Sequence, residues 1–220
     1  MTVLLILAMF ALFIAIEYFT SRQREATVAA KPATKPARPR PEIVAGFQLP
    51  DHLLYHPGHT WAASEGVQLV RVGLDDFAAR LIGSVQRFEL PARGKWIRQG
   101  QKIIAAYRDG SKAEIVSPIE GMVTDVNDAV LREPELARRD PYGEGWLLTV
   151  QSPDAKVNFR NLLFGNVARR WMEEAAIRLR GRLPGLAGAV AQDGGIAVAN
   201  LAAQIPEQTW KELTEEFFLT

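Results

Sequence analysis

Three histidines in one short stretch are the first side chains whose type and spacing could do chemistry. His52, His56 and His59 carry imidazole nitrogens, which are common ligands of transition metals. Pro57 and Gly58 break any helix that would place the three imidazoles on one face, and the chain contains no cysteine. We therefore interpret the histidines as structural residues and predict no metal site.

A pair of carboxylates, Asp75 and Asp76, comes next along the chain. Paired carboxylates can work as general acid and base, but adjacent positions on a helix point in different directions. Both residues directly precede an apolar run, where Asp is a favoured helix cap. The pair predicts the start of a short helix over residues 75–81, and the chain has no P-loop, dinucleotide motif or nucleophile elbow. An enzyme is accordingly disfavoured.

Lys112 is the remaining candidate, because it adjoins a predicted hairpin tip. Two β-rich runs, residues 102–107 and 113–117, flank Asp109 and Gly110. Asp-Gly between strand-like runs is the strongest short-range signal for a β-hairpin. Lys112 is the only lysine at this tip and offers a primary amine there. Short strands at close spacing continue on both sides, so the pattern predicts a mainly β protein with a small barrel or sandwich.

The residues around this hairpin resemble those of a known family. The matching stretches are YHPGHTW (55–61), VGLDDFA (72–78), IGSV (82–85), FELPARG (88–94), Gly100 and SPIEGMVTDVNDAVLREPELARRDPYGEGWLLTV (117–150). Together they are similar to the H protein of glycine cleavage, over roughly residues 49–150. The resemblance implies the barrel-sandwich hybrid fold of lipoyl domains. It also implies a hairpin-tip lysine whose lipoyl arm ferries an aminomethyl group between partner enzymes.

The chain departs from the family at the lysine itself. Gly100 and Gly121 bracket the hairpin and align with the family without a gap, and counting in from either one places the family's lysine on Gly110. The family's acidic residue three positions earlier falls on Tyr107, and the next position on Arg108. The attachment position therefore carries no amine.

Two interpretations follow for the cofactor. In the first, the chain carries no lipoate and is a binding or scaffold module, with Tyr107 and Asp109 as partner-binding residues at the tip. In the second, it is a lipoyl carrier attached at Lys112, which is followed by alanine as in the family's Lys-Ala pair. The enzymes of glycine cleavage are the protein partners that the resemblance implies. The loop over residues 140–145 either presents Tyr142 and Glu144 near the tip to such partners or is shaped only for packing.

The N-terminal residues predict a membrane anchor. Residues 3–19 are apolar apart from Glu17, and with their flanks they are long enough to span a bilayer as a helix. Six basic residues follow this run and none precedes it, which favours a cytoplasmic soluble part. A cleaved signal peptide is the alternative, but the run lacks a basic start and a small-residue cleavage site. A formal net charge of +1 gives no sign of nucleic-acid binding.

The C-terminal residues predict an accessory α+β unit. An amphipathic helix is expected over residues 158–183, a hairpin around Asp193-Gly194-Gly195 and a last helix over residues 208–218. Docking of the first helix on the barrel is favoured over a membrane-surface position. The predicted organisation is a transmembrane anchor (1–21), a Pro-rich and basic linker (22–45), the H-protein-like domain (46–152) and the C-terminal extension (153–220).

Overall fold

The computed structural model describes residues 42–183 and 201–219. The predicted transmembrane segment (1–21), residues 22–41 of the predicted linker and the predicted hairpin around Asp193-Gly194-Gly195 all lie outside the described residues. None of the helices in the described ranges combines the length and the apolar character needed to cross a bilayer.

The described part of the chain is mainly β, with short helices between the strands. Its strands are β1 (Glu42–Val44), β2 (Phe47–Leu49), β3 (Leu54–His56), β4 (Thr60–Ser64), β5 (Leu69–Leu74), β6 (Arg87–Glu89), β7 (Trp96–Ile97), β8 (Lys102–Arg108), β9 (Ser111–Val116), β10 (Gly121–Val126) and β11 (Leu148–Gln151). Its helices are α1 (Asp76–Ile82), α2 (Asp128–Arg132), α3 (Leu136–Arg139), α4 (Ala155–Phe159), α5 (Gly165–Arg182) and α6 (Glu207–Phe218), with a 3₁₀ turn at Leu201–Gln204.

The strands form three antiparallel sheets. The largest has the order β3-β4-β5-β11-β10-β7, a second has the order β6-β8-β9, and β1 pairs with β2 alone. Inward-facing residues of the two larger sheets belong to one hydrophobic core, as Ile104 and Ile115 of the smaller sheet and Val123 and Val150 of the larger one illustrate. Strand β9 is the last strand of the smaller sheet, and helix α6 lies against it.

Helix α1 begins where the aspartate pair predicted. The Asp75 carboxylate accepts a hydrogen bond from the Ala78 amide at 2.8 Å and so caps the helix. Asp76 pairs with Arg80 one turn later at 2.8 Å. Every residue of α1 is buried, so the helix is part of the core and both carboxylates have structural partners.

Two expectations about the elements were wrong. Residues 42–44, assigned to the linker, form β1 because they pair with β2. The helix expected over residues 158–183 is interrupted at residues 160–164, because α4 ends at Phe159 and α5 begins at Gly165. There the backbone of Leu163 makes a pair of hydrogen bonds with Tyr55 at 2.7 and 2.9 Å, and this pairing with β3 replaces helical bonding. The last helix starts at Glu207 directly after Pro206, close to the predicted start.

Candidate functional site

The tip of the β8–β9 hairpin is a two-residue turn. Arg108 and Ser111 form the last pair of the ladder, and Asp109 and Gly110 make the turn between them. Their φ angles are 48° and 85°, so both lie in the left-handed region, as a type I′ turn requires. Asp-Gly is a preferred sequence for that turn, which explains why the hairpin closes at these residues.

Gly110 lies at the apex, facing open space. A Cβ atom built on it would meet no atom within 4 Å, although its φ of +85° disfavours any residue with a side chain. The neighbouring Asp109 side chain is exposed and accepts a hydrogen bond from the side-chain amide of Gln86 at 3.3 Å. The apex therefore presents a carboxylate and a bare backbone, with no amine.

Lys112 lies beside the apex, within strand β9. Its Nζ donates to Glu114 at 2.9 Å, and Lys102 shares the same carboxylate at 3.2 Å. The hydrogen bond to Glu114 raises the pKa of Lys112 above its usual value, and the two lysines lower the pKa of Glu114. Lys112 also lines a groove of about 590 Å³ between β9 and α6, together with Lys211. The amine is thus protonated at neutral pH, held by a carboxylate and set beside a helix.

Tyr107 occupies the position at which the resemblance implies an acidic residue. The guanidinium of Arg87 stacks over its ring at 3.8 Å, and its hydroxyl donates to Glu89 at 2.7 Å. Arg87 pairs with Tyr107 and Tyr107 with Lys112 across the three strands, so the three side chains form one row on the sheet. The row carries two cations and an aromatic ring, with no carboxylate among the three side chains.

Tyr142 and Glu144 differ in their exposure. The Tyr142 hydroxyl donates to the carbonyl of Gln48 at 2.6 Å and accepts from the Asp76 amide at 2.9 Å. Burial raises the pKa of Tyr142 well above its usual value, so the hydroxyl keeps the proton that it donates. The partners of Tyr142 lie in β2 and α1 and not in the hairpin, whereas Glu144 is exposed. Tyr142 is half-buried and is tied through its hydroxyl to β2 and α1, and Glu144 is the exposed residue of the two.

Two of the three histidines, His56 and His59, have partners within the fold. His59 is buried, its Nδ1 lies 2.8 Å from the Asp75 carboxylate, and its ring stacks on Phe77 with centroids 4.0 Å apart. His56 Nδ1 accepts a hydrogen bond from the Gly58 amide at 3.0 Å. Within the described ranges, no three His, Asp or Glu side chains are grouped in a way that could hold a metal ion.

The C-terminal segment reaches the hairpin tip, a contact that sequence reasoning missed. Arg108 donates to the carbonyl of Ala202 at 2.8 Å, and the Ser111 hydroxyl donates to Glu207. These residues are about a hundred positions apart along the chain, and no motif links them. The only related sequence signal was the apolar face of the last predicted helix, and it did not indicate where that helix docks.

Comparison with known proteins identifies the family. A family model described as "Glycine cleavage H-protein" matches residues 53–175, which is more than half of the chain. The chain belongs to the glycine cleavage H-protein family. A glycine cleavage system H protein of Anaeromyxobacter sp. (strain K) is 36% identical over 110 residues, covering 50% of this chain and 85% of the relative. One from Mycobacterium avium (strain 104) is 37% identical over 107 residues, covering 49% and 81%.

A solved H protein is also similar in structure. The crystal structure of a glycine cleavage system H protein from Mycobacterium marinum aligns with a TM-score of 0.47 and 24% identity, covering 57% of this chain and 98% of that one.

Family membership confirms the resemblance read from the sequence. Members of the H-protein family act as carriers, so this chain is a carrier-type or binding protein and not an enzyme by itself. The match with the H-protein model ends at residue 175, inside α5. Hairpin β8–β9 therefore belongs to the H-protein part of the chain, and α6 lies beyond it.

Proposed function

We propose that this H-protein family member is a protein-binding module that carries no lipoate. The observation that carries the proposal is the apex of the β8–β9 hairpin, where Gly110 stands at the family's attachment position in a left-handed turn. Attachment needs a primary amine that projects from the apex. Here the apex presents Asp109 and Gly110, and the flanking acidic position is taken by the Arg87–Tyr107 stack.

The position of Lys112 further supports a module without lipoate. A shift of two residues keeps the side chain on the same face of the strand but moves it about 6 to 7 Å along β9. The amine then pairs with Glu114 in the groove beside α6 instead of projecting from the turn. An attaching enzyme would have to break that pair and work against the neighbouring helix.

One observation favours a second candidate, a lipoyl carrier attached at Lys112. The Lys112 side chain is 44% exposed, so its amine can be reached once it leaves Glu114. In that case the partners would be other proteins of the glycine cleavage system, the system that the names of the relatives specify.

We further propose that the N-terminal residues anchor the module to a membrane, with the folded part on the cytoplasmic side. The support is the apolar run over residues 3–19 and the basic residues after it. Fractionation of cells that express the full chain, beside a form lacking residues 1–21, tests this. The full chain should sediment with membranes and the shortened form should not, and equal distribution of the two would contradict the anchor.

The intact mass of the full chain purified from its own host decides between the two candidates. Peptide mapping across residues 107–117 should show an unmodified Lys112 when other lipoyl proteins of the same cells are modified. Lys112→Arg and the matched control Lys102→Arg, which replaces the other lysine bound to Glu114, should then both lack a lipoyl-sized increase in mass. A lipoyl-sized increase that Lys112→Arg abolishes and Lys102→Arg preserves would replace the first candidate with the second.

A further inference from the structure

The outer face of the six-stranded sheet carries a row of exposed side chains that is mostly apolar. Strand pairing places one residue of the row on each of β7, β10, β11 and β5, namely Trp96, Met122, Gln151 and Leu69. The next residue along each strand is buried, so the row points away from the core; these buried neighbours are Ile97, Val123, Val150 and Val70. Trp96 is 50% exposed, Leu69 40% and Met122 39%. We call these four side chains the Trp96 row.

The fold makes little use of the Trp96 side chain. Within the described ranges, no hydrogen bond or ring contact involves its indole. Trp96 and Met122 lie directly opposite each other on neighbouring strands, so their side chains form one exposed apolar surface. Exposed apolar residues that cluster around a tryptophan are typical of surfaces that bind a partner. The indole combines an apolar body with a polar N–H, which suits a boundary between apolar material and water.

The charges beside the Trp96 row are predominantly positive. Lys95 and Arg98 flank β7 and are both exposed. Neither forms an ion pair with any carboxylate in the described part of the chain. Glu120, just before β10, is half-buried and pairs with neither of them. An exposed tryptophan beside unpaired cations matches an anionic lipid surface, where the indole lies at the level of the headgroups and basic residues bind the negative charge.

Helix α5 also has exposed apolar residues, but their surroundings differ. Ile177 is exposed, and Glu173 and Glu174 precede it by four and three positions on the same helix. Residues at these spacings are neighbours on a helix surface. An anionic lipid surface would repel the two carboxylates. The Trp96 row is therefore the better match for lipid.

We propose that the Trp96 row docks on an anionic lipid surface, with Trp96 and Met122 at the level of the headgroups and Lys95 and Arg98 on their negative charges. This inference rests on the proposed membrane anchor. Residues 22–41, which join the anchor to the folded part, reach at most about 70 Å when fully extended. A tether of this length gives an effective concentration on the order of mM, so even a weak contact with the bilayer is populated.

Single-cysteine variants of the full chain test the docking, because the chain contains no cysteine of its own. Met122→Cys places an environment-sensitive fluorophore in the row, and the control Ile177→Cys places it at an exposed position of α5. Each labelled chain is reconstituted in vesicles of phosphatidylcholine with phosphatidylglycerol and in vesicles of phosphatidylcholine alone. The emission of Met122→Cys should shift to the blue in the anionic vesicles only, whereas Ile177→Cys should emit alike in both.

Removal of the two cations tests the electrostatic part of the docking. Lys95→Gln and Arg98→Gln, made in the Met122→Cys chain, should each lower the ratio of docked to undocked label by about fivefold. Arg132→Gln, at an exposed arginine that ends α2, should leave the ratio unchanged. Equal effects of the three substitutions would overturn the role of Lys95 and Arg98.

Flotation of the same vesicles separates the docking from the anchor. A chain that floats with the vesicles while the label at position 122 stays in water would overturn the docking and leave the anchor in place. A chain that stays in solution would overturn both. Equal blue shifts at positions 122 and 177 would show that the row is not the face that meets the lipid. A label that responds to soluble proteins of the host, and not to vesicles, would assign the row to a protein partner and overturn the docking on lipid.

Discussion

Replacing Gly110 by lysine restores the residue that the family has at the apex, and its effect on folding follows from the turn geometry. The Cβ of the new side chain would meet no atom within 4 Å, so no steric clash should destabilise the variant. The φ of +85° remains, and a left-handed conformation costs a residue with a side chain about 1 to 2 kcal/mol. For a domain of this size, that cost corresponds to a fall in Tm of about 2 to 8 °C.

Two other glycines make the prediction specific. Gly66 also faces open space but does not have a positive φ, so Gly66→Lys should change the free energy of unfolding by only a few tenths of a kcal/mol. Gly94 faces open space with a φ of +82°, so Gly94→Lys should match Gly110→Lys. Thermal or urea unfolding followed by tryptophan fluorescence measures all three. The type I′ turn at Asp109 and Gly110 would be refuted if Gly110→Lys lowered the free energy of unfolding as little as Gly66→Lys does, or by more than about 4 kcal/mol.

Three further predictions concern the core and the docked helix. Asp75→Ala removes the cap of α1 and the partner of buried His59, so the free energy of unfolding should fall by about 2 to 4 kcal/mol. The control Asp51→Ala, at an exposed residue, should change it little. Equal losses of stability in the two variants would contradict the buried pair of Asp75 and His59. Burial and His59 lower the pKa of His56 below 6.5, so the unfolded chain binds more protons than the folded chain as the pH falls through that value. The free energy of unfolding should therefore rise with pH in this range. His56→Asn, which keeps an acceptor for the Gly58 amide, should make that rise smaller. An unchanged slope in His56→Asn would show that another group causes the pH dependence. Trp210→Phe keeps most of the apolar burial but leaves the Leu81 carbonyl without its donor, so it should cost about 1 to 2 kcal/mol, against about 3 to 5 for Trp210→Ala in the same denaturation assay.

Local signals predicted the elements that depend on local chemistry. Asp-Gly placed the hairpin tip and the aspartate pair placed the start of α1, because turn geometry and helix capping involve residues close in sequence. The helix expected over residues 158–183 was divided by pairing with β3, a tertiary contact that periodicity does not report. The docking of the last helix on the tip could not be predicted in detail, because Arg108 and Ser111 meet partners that lie far along the chain.

For the site residues too, local sequence was predictive and tertiary contacts were not. The absence of a lysine at position 110 could be read directly, by counting from the bracketing glycines. The environment of Lys112 could not, because both Glu114 and the groove beside α6 act on it only in the folded chain. The sequence left open whether the loop over residues 140–145 presents Tyr142 at the surface or is shaped for packing, because the partners of its hydroxyl lie far away in sequence, in β2 and α1.

The position of α6 against β9 also bears on self-association of the chain. The last strand of a sheet offers unpaired backbone groups to any other chain, which is a common route to aggregation. Here that strand belongs to a sheet of only three, and α6 lies against it. Truncation after α5, to match the shorter relatives, would remove this protection, so the truncated chain should self-associate more than the full chain does.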